Sequence, residues 1–303
     1  MKCIDAHVHI YEHFHGYGFM GEFRIFPDGT MRMAGGETGR IIPEGFGVTG
    51  VSAERMLAFM DEKEIEHAVL LQGSAYGFQN EYISESVARY PHRFTGAATV
   101  DPCIRMFDRV FDRLTKELNF NIFKMEMSEF GGFMGYHNPE TFLDEPNLQT
   151  LCTYLNQTKG TLALDVGQPG TASHRIEKYL NWVNRYPDLK FVFCHLLSMT
   201  ADHAGTLKRE LEQLRKPNVW FDLASVACNT NEHAPYRWAR EYLQIAKDVV
   251  GADRLIWGSD VPTTLSDYPY PEAQGIILDA GIFTEPELIQ IFQENAKDAY
   301  SIK

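Results

Sequence analysis

Residues 5–9 read Asp5-Ala6-His7-Val8-His9 and close an apolar run that begins at Cys3. In a β-strand alternate side chains share a face, so a strand here projects His7 and His9 together from its end. Two imidazoles on one strand supply half of a metal site. Taken alone, the pair reads equally well as one core histidine satisfied by backbone and one surface histidine, and the rest of the chain has to decide between the two.

Seven further short apolar or β-branched runs follow the first, which spans Cys3 to His9: His67 to Gln72, Thr95 to Val100, Phe120 to Glu126, Leu162 to Val166, Lys190 to His195, Asn218 to Asp222 and Arg254 to Trp257. Amphipathic segments separate them, among them Ala53 to Glu64, Tyr82 to Tyr90, Ile104 to Leu118, Asn147 to Thr158, Ser173 to Tyr186, His203 to Arg215 and Tyr236 to Val250, and a C-terminal pair, Pro271 to Ala280 and Glu285 to Ala299, ends the chain. In the third of these, Phe107, Val110, Phe111 and Leu114 recur at helical spacing and predict one buried face. Strands alternating with helices pair in parallel through right-handed crossovers. Eight such units predict an α/β fold, a (β/α)8 TIM barrel in a single domain spanning residues 1–303.

The ends of these runs carry the stronger signal. They offer His7 and His9, Gln72, Asp101, Lys124 with Glu126, Asp165, His195, Asp222 and, after Gly258-Ser259, Asp260. A barrel with its active site at the C-terminal face of the strands collects ionisable groups in this way. Long loop insertions hang over the same face. The longest, Tyr11 to Gly50, holds ten glycines in 40 residues and shows no sustained periodicity, which suits a lid or an irregular segment. Met127 to Glu145 and Ala224 to Pro235 follow Glu126 and Asp222.

With 44% hydrophobic and 13% aromatic residues the chain has ample material for a packed core. A formal charge of -13 leaves no basic stripe for phosphates, which argues against nucleic acid as a partner. Five scattered cysteines, with no C-x-x-C pair, argue against a disulfide framework or a thiolate zinc site. Nothing resembles a signal peptide or a membrane span, so the expectation is a reduced, cytoplasmic protein without membrane contact.

Asp5-Ala6-His7-Val8-His9, Phe193-Cys194-His195-Leu196, Leu255-Ile256-Trp257-Gly258-Ser259-Asp260-Val261-Pro262 and Glu294-Asn295-Ala296 together, in this order, resemble the amidohydrolase superfamily, in its amidohydrolase-2 (amidohydrolase-related) branch of metal-dependent TIM-barrel hydrolases. The resemblance runs from residue 2 to about residue 300. It implies one divalent metal ion, zinc with manganese as the alternative, held by His7, His9 and Asp260, with His195 serving catalysis. The branch contains lactonases, some of them metal-free, and non-oxidative decarboxylases, and its barrels are often homodimers. Its decarboxylases carry a further histidine ligand after the fifth strand, where this chain has Asp165. That departure favours hydrolysis of a small lactone or related carbonyl compound, with a metal-dependent decarboxylase of an aromatic or related acid as the alternative.

Each residue also has a plainer reading. Asp260 could merely cap a helix, but its place suits the base that deprotonates water and then protonates the leaving group. His195 could be a satisfied core histidine, or could polarise a substrate carbonyl. Glu126 and Asp165 are candidate further metal ligands through oxygen. Lys124 shares a strand face with Glu126 and either pairs with it or binds the carboxylate of an anionic small-molecule substrate. Arg24 and Arg40 are further candidates for such an anion, and Tyr11, Tyr76 and Phe78 for lining a pocket. His13 and His15 read as solvated loop residues, and Asp222 as a supporting residue.

Overall fold

The computed structural model describes residues 2–303. Its eight parallel barrel strands are β1 (Cys3–Val8), β2 (Ile65–Leu70), β3 (Phe94–Gly96), β4 (Ile122–Glu126), β5 (Thr161–Asp165), β6 (Lys190–Phe193), β7 (Val219–Asp222) and β8 (Leu255–Ile256). They pair in chain order, β1-β2-β3 and β4-β5-β6-β7-β8. Two short parallel bridges join these sets. Ala98, just past β3, pairs with Phe123, and Val8 pairs with Val261 beyond β8. At the first junction Lys124 N donates to Ala98 O (2.8 Å); at the second His9 N donates to Val261 O (2.8 Å). The eight-strand barrel read from the sequence is therefore present.

Residues alternating along the strands fill the interior: Ile4 and Ala6, Val69 and Leu71, Val192 and Cys194, with Ala163 and Ile256. This is the inward half of the period-two pattern. The helix Asn295–Tyr300 stops one end of this core, where Tyr300 is buried among them and Thr161 Oγ1 donates to Ala299 O (2.6 Å). A second apolar layer lies between strands and helices. In the helix Phe107–Asp112 and the wider turn Arg113–Glu117 that continues it, Phe107, Phe111 and Leu114 are buried. Val110 is the exception to the predicted buried face: it is 36% exposed and borders a surface cleft with Arg113 and Phe78, because it sits at the edge of the stripe.

The longest insertion also departs from expectation. Between residues 11 and 50 lies a four-stranded antiparallel sheet of Tyr17–Gly18, Gly21–Ile25, Thr30–Met33 and Thr38–Arg40. Phe23, Met31 and Met33 point inward while Glu22, Arg24 and Arg32 are exposed, the alternation expected of a sheet with one covered face. The central hairpin turns at Pro27-Asp28-Gly29, where Asp28 Oδ1 accepts from Thr30 N (2.9 Å) and Gly29 takes a φ of +78°, a turn chemistry with a definite mechanism. Its neck is pinned where Tyr11 and Val51 exchange backbone hydrogen bonds of 3.1 and 2.8 Å.

All five cysteines are free. No helix among the described residues is long and apolar enough to cross a membrane.

Candidate active site

The C-terminal ends of the strands open into a cavity of about 700 Å³. Its floor includes His7 and His9 from the end of β1, Lys124 and Glu126 from β4, Asp165 from β5, His195 after β6 and Asp260 after β8. These seven sequence-predicted residues thus share one cavity. All three insertions line it as well, through Phe14 to Ile41, through Ser128 to Gly131, and through Ser225, Cys228 and Asn229.

Three imidazoles are held in one pattern. His7 Nδ1 donates to Asp222 Oδ2 (2.7 Å), His9 Nδ1 to Leu71 O (2.9 Å), and His195 Nδ1 to Ala224 O (3.1 Å). A carbonyl or carboxylate oxygen only accepts, so each Nδ1 carries hydrogen; the neutral rings of His7 and His9 then present their Nε2 lone pairs to the cavity, whereas His195 Nε2 faces the Asp165 carboxylate and can carry a second proton. His7 Nε2 is buried without any hydrogen-bond partner and lies 3.8 Å from Asp260 Oδ1, while His9 Nε2 lies 2.8 Å from the same oxygen. Acceptors converging at such range require a cation among them or an extra proton on His9. The ligand atoms of His7, His9 and Asp260 all lie within 4.8 Å of one another. The donor set, two imidazoles and one carboxylate oriented by partners behind them, fits a divalent metal such as zinc.

Local backbone geometry explains how the groups reach these places. Gly258 lets the turn after β8 press against β1; a methyl group there would come within 2.6 Å of His7 Cβ. Asp5, buried behind them, accepts from Ser259 N (2.9 Å) and Tyr270 Oη (3.2 Å), which locks that turn to β1. Burial pushes its carboxyl up to about 7. Asp260 itself takes a φ of +63°. After β6 the chain makes a left-handed turn in which His195, Leu196, Leu197 and Ser198 have φ of 57°, 48°, 63° and 52°. Such backbone costs roughly 1–2 kcal/mol per non-glycine residue. It is held by burial of both leucines and by Asp222 Oδ1, which accepts from His195 N (3.0 Å).

Electrostatics follow from this packing. Burial raises the pKa of Asp260, but the hydrogen bond to His9 and the nearby His7 and His195 prevail and hold it well below the usual carboxylate range. Asp222, despite burial, is held at about 2 by His7 and His195. For His195, burial lowers the pKa, yet Asp165, Asp260 and Asp222 outweigh it and raise it to about 9.

Glu126 and Asp165, the two further ligands expected from sequence, lie outside the His7-His9-Asp260 trio. Glu126 is paired with the buried Lys124 and accepts from Ser128 Oγ (2.7 Å). Asp165 accepts from Gly167 N (2.9 Å) and faces His195 Nε2 at 3.5 Å. Lys124 is thus engaged by a carboxylate of its own strand. Arg24 and Arg40 are exposed and do not line the cavity. Two strand-end groups also fall away: Gln72 is spent on Ala97 O, Asn80 and Gln79 N, and Asp101 on His137 (2.8 Å). His13 and His15 are exposed. Tyr76 lines the cavity beside His9, with ring centroids 4.5 Å apart, and stacks on the buried Tyr11, whereas Phe78 faces a separate cleft. Ser225, whose Oγ donates to Asp260 Oδ2 (2.5 Å), escapes sequence reading; its one signal is its position three residues after Asp222.

The sequence matches the amidohydrolase family model Amidohydro_2 over residues 4–302. No curated protein matches it significantly. Among solved structures it is similar to a probable 2-pyrone-4,6-dicarboxylic acid hydrolase from Acinetobacter baumannii with citric acid bound, at 20% identity and a TM-score of 0.71, covering 99% of this chain and 100% of that one. An amidohydrolase from Burkholderia multivorans with bound zinc gives 14% identity and a TM-score of 0.72, with 100% of both chains covered. A 5-carboxyvanillate decarboxylase from Sphingomonas paucimobilis gives 16% and 0.56 over 82% of each chain. These likenesses carry the fold, and the family match over nearly the whole length carries the assignment: the chain belongs to the amidohydrolase family.

Proposed function

We propose that this protein is a metal-dependent hydrolase of a small lactone or related carbonyl compound. One observation carries the reading: the buried, unpartnered His7 Nε2 and His9 Nε2 converge on one oxygen of Asp260. His7, His9 and Asp260 would hold a single divalent ion, zinc or manganese, which supplies Lewis acidity and a more acidic bound water. The protein's own residues do the rest. Asp260, kept ionised and oriented by Ser225, takes the proton of the attacking water and returns it to the leaving oxygen. His195, its charge supported by Asp165, directs Nε2–H at the oxyanion that develops on the substrate carbonyl. Lys124 holds Glu126 in place at the cavity wall.

Decarboxylation, the alternative, draws on a firm fourth ligand after β5. Asp165 occupies that position, engaged by Gly167 and His195, which supports hydrolysis over carbon dioxide release. The test is elemental analysis of the purified protein, followed by a pH-indicator screen of lactones and a carbon dioxide assay on hydroxybenzoates. About one zinc or manganese per chain with lactone opening is expected. Carbon dioxide release without lactone opening would replace this reading by the lyase.

A further inference from the structure

We infer that the substrate is an uncharged carbonyl compound bearing an aryl or similar apolar group, with the apolar part seated under the antiparallel insertion. The inference rests on the hydrolase reading for its chemistry and on the cavity walls for its content.

The roof over the ionisable floor is apolar: Phe14, Phe19, Phe23, Met31 and Ile41 come from the insertion, and Phe130 from the loop after β4. Phe14 and Phe23 are 4% exposed, so they are fixed parts of the wall. Phe19 and Phe130 are 44% and 55% exposed and face each other at the lip with ring centroids 5.1 Å apart. Two large aromatics left wet at the entrance gain from an apolar group entering beside them. A polyhydroxylated ring would instead leave hydroxyls unpaired against this roof.

Charge narrows the class further. Among the described residues, Lys124 is the only lysine or arginine lining the cavity, and Glu126 already neutralises it. Glu129 and Asp267 also line it, and neither forms an ion pair among the described residues. A dicarboxylate entering here meets acidic side chains, while the two cationic side chains of the lining, Lys124 and His195, already face Glu126 and Asp165, and like-charge juxtaposition rejects a ligand as effectively as a clash. This departs from the anionic substrate expected of the sequence. The candidate anion contacts, Arg24 and Arg40, lie outside the cavity.

The test uses probes that no hydrolase can open, so it reads the cavity independently of turnover. Calorimetry on the zinc-loaded protein compares 1-tetralone, a neutral aryl ketone, with isophthalate, an aromatic dicarboxylate. Tetralone is expected to bind at least about tenfold more tightly. Phe19→Ala with Phe130→Ala should weaken tetralone by roughly tenfold, and Glu129→Gln with Asp267→Asn should narrow the preference by improving isophthalate binding. Equal or tighter isophthalate binding overturns the inference, as does unchanged tetralone affinity in the phenylalanine variant. Tetralone preference together with a failure to open any lactone would leave this inference standing and remove only the hydrolase reading.

Discussion

The floor of the cavity comes from the C-terminal ends of the parallel strands and gathers the histidines and most of the carboxyl groups, whereas the roof comes from an antiparallel insertion and presents chiefly phenylalanines. Each histidine of the floor is fixed by a partner behind it: Asp222 for His7, Leu71 O for His9, Ala224 O for His195. The roof has its own hydrogen-bonded sheet and its own small apolar face, and its ties to the rest of the molecule include the Tyr11–Val51 neck, a bond from Phe19 N to Phe130 O (3.2 Å) and one from Arg55 Nε to Gly45 O (2.7 Å). The contrast teaches that chemistry and selectivity are separable here. On the reading proposed above, the floor decides what reaction is possible and the roof decides what enters.

Substitutions in the two regions should therefore fail differently. Asp260→Asn alters both the proposed ligand and the proposed base, and turnover should fall on the order of 10³-fold or more, read by steady-state kinetics beside metal content. Asp222→Asn leaves every cavity-facing atom in place but loosens His7, and metal affinity should drop by roughly 10–100-fold in a chelator competition. Phe23→Ala in the roof should raise KM several-fold and speed proteolytic cleavage between residues 11 and 50, while metal content stays at the wild-type level; loss of metal in that variant would break the comparison. Gly258→Ala forces a methyl group onto His7 and should destabilise the fold by about 1–3 kcal/mol, seen as a lower Tm, with weakened metal retention. Arg40→Ala, on the exposed edge of the roof, should change stability by less than about 0.5 kcal/mol and leave KM unaltered.

The barrel was legible because its strands are short apolar runs with polar ends, and His7, His9, His195 and Asp260 stood at the ends where a barrel concentrates its chemistry. The same rule over-reached at Gln72 and Asp101, which also end strands yet serve local loop structure. Period alone cannot tell which way the chain turns after its last paired residue. The roof's place over the site was legible, but its antiparallel sheet was not, for a different reason. Phe23-Arg24-Ile25 and Met31-Arg32-Met33 do alternate, and Pro27-Asp28-Gly29 between them is a turn signal, but runs of three residues diluted by ten glycines fall below any periodicity threshold. The left-handed turn at His195–Ser198 left no trace, since leucines are poor candidates for positive φ. Only the surrounding fold imposes it.

The bonds that shape the floor span most of the polypeptide. His7 meets Asp222 across 215 positions, and His9 meets Asp260 across 251. Pairings so remote in sequence form late and slowly in folding, and β1 gains its second neighbour only when the segment beyond β8 arrives. His7 gains Asp222, and His9 gains Asp260, only once these distant segments have reached β1. Ion uptake at the proposed centre would thereby signal barrel closure, and a refolding experiment that follows metal incorporation would time the last step of assembly directly.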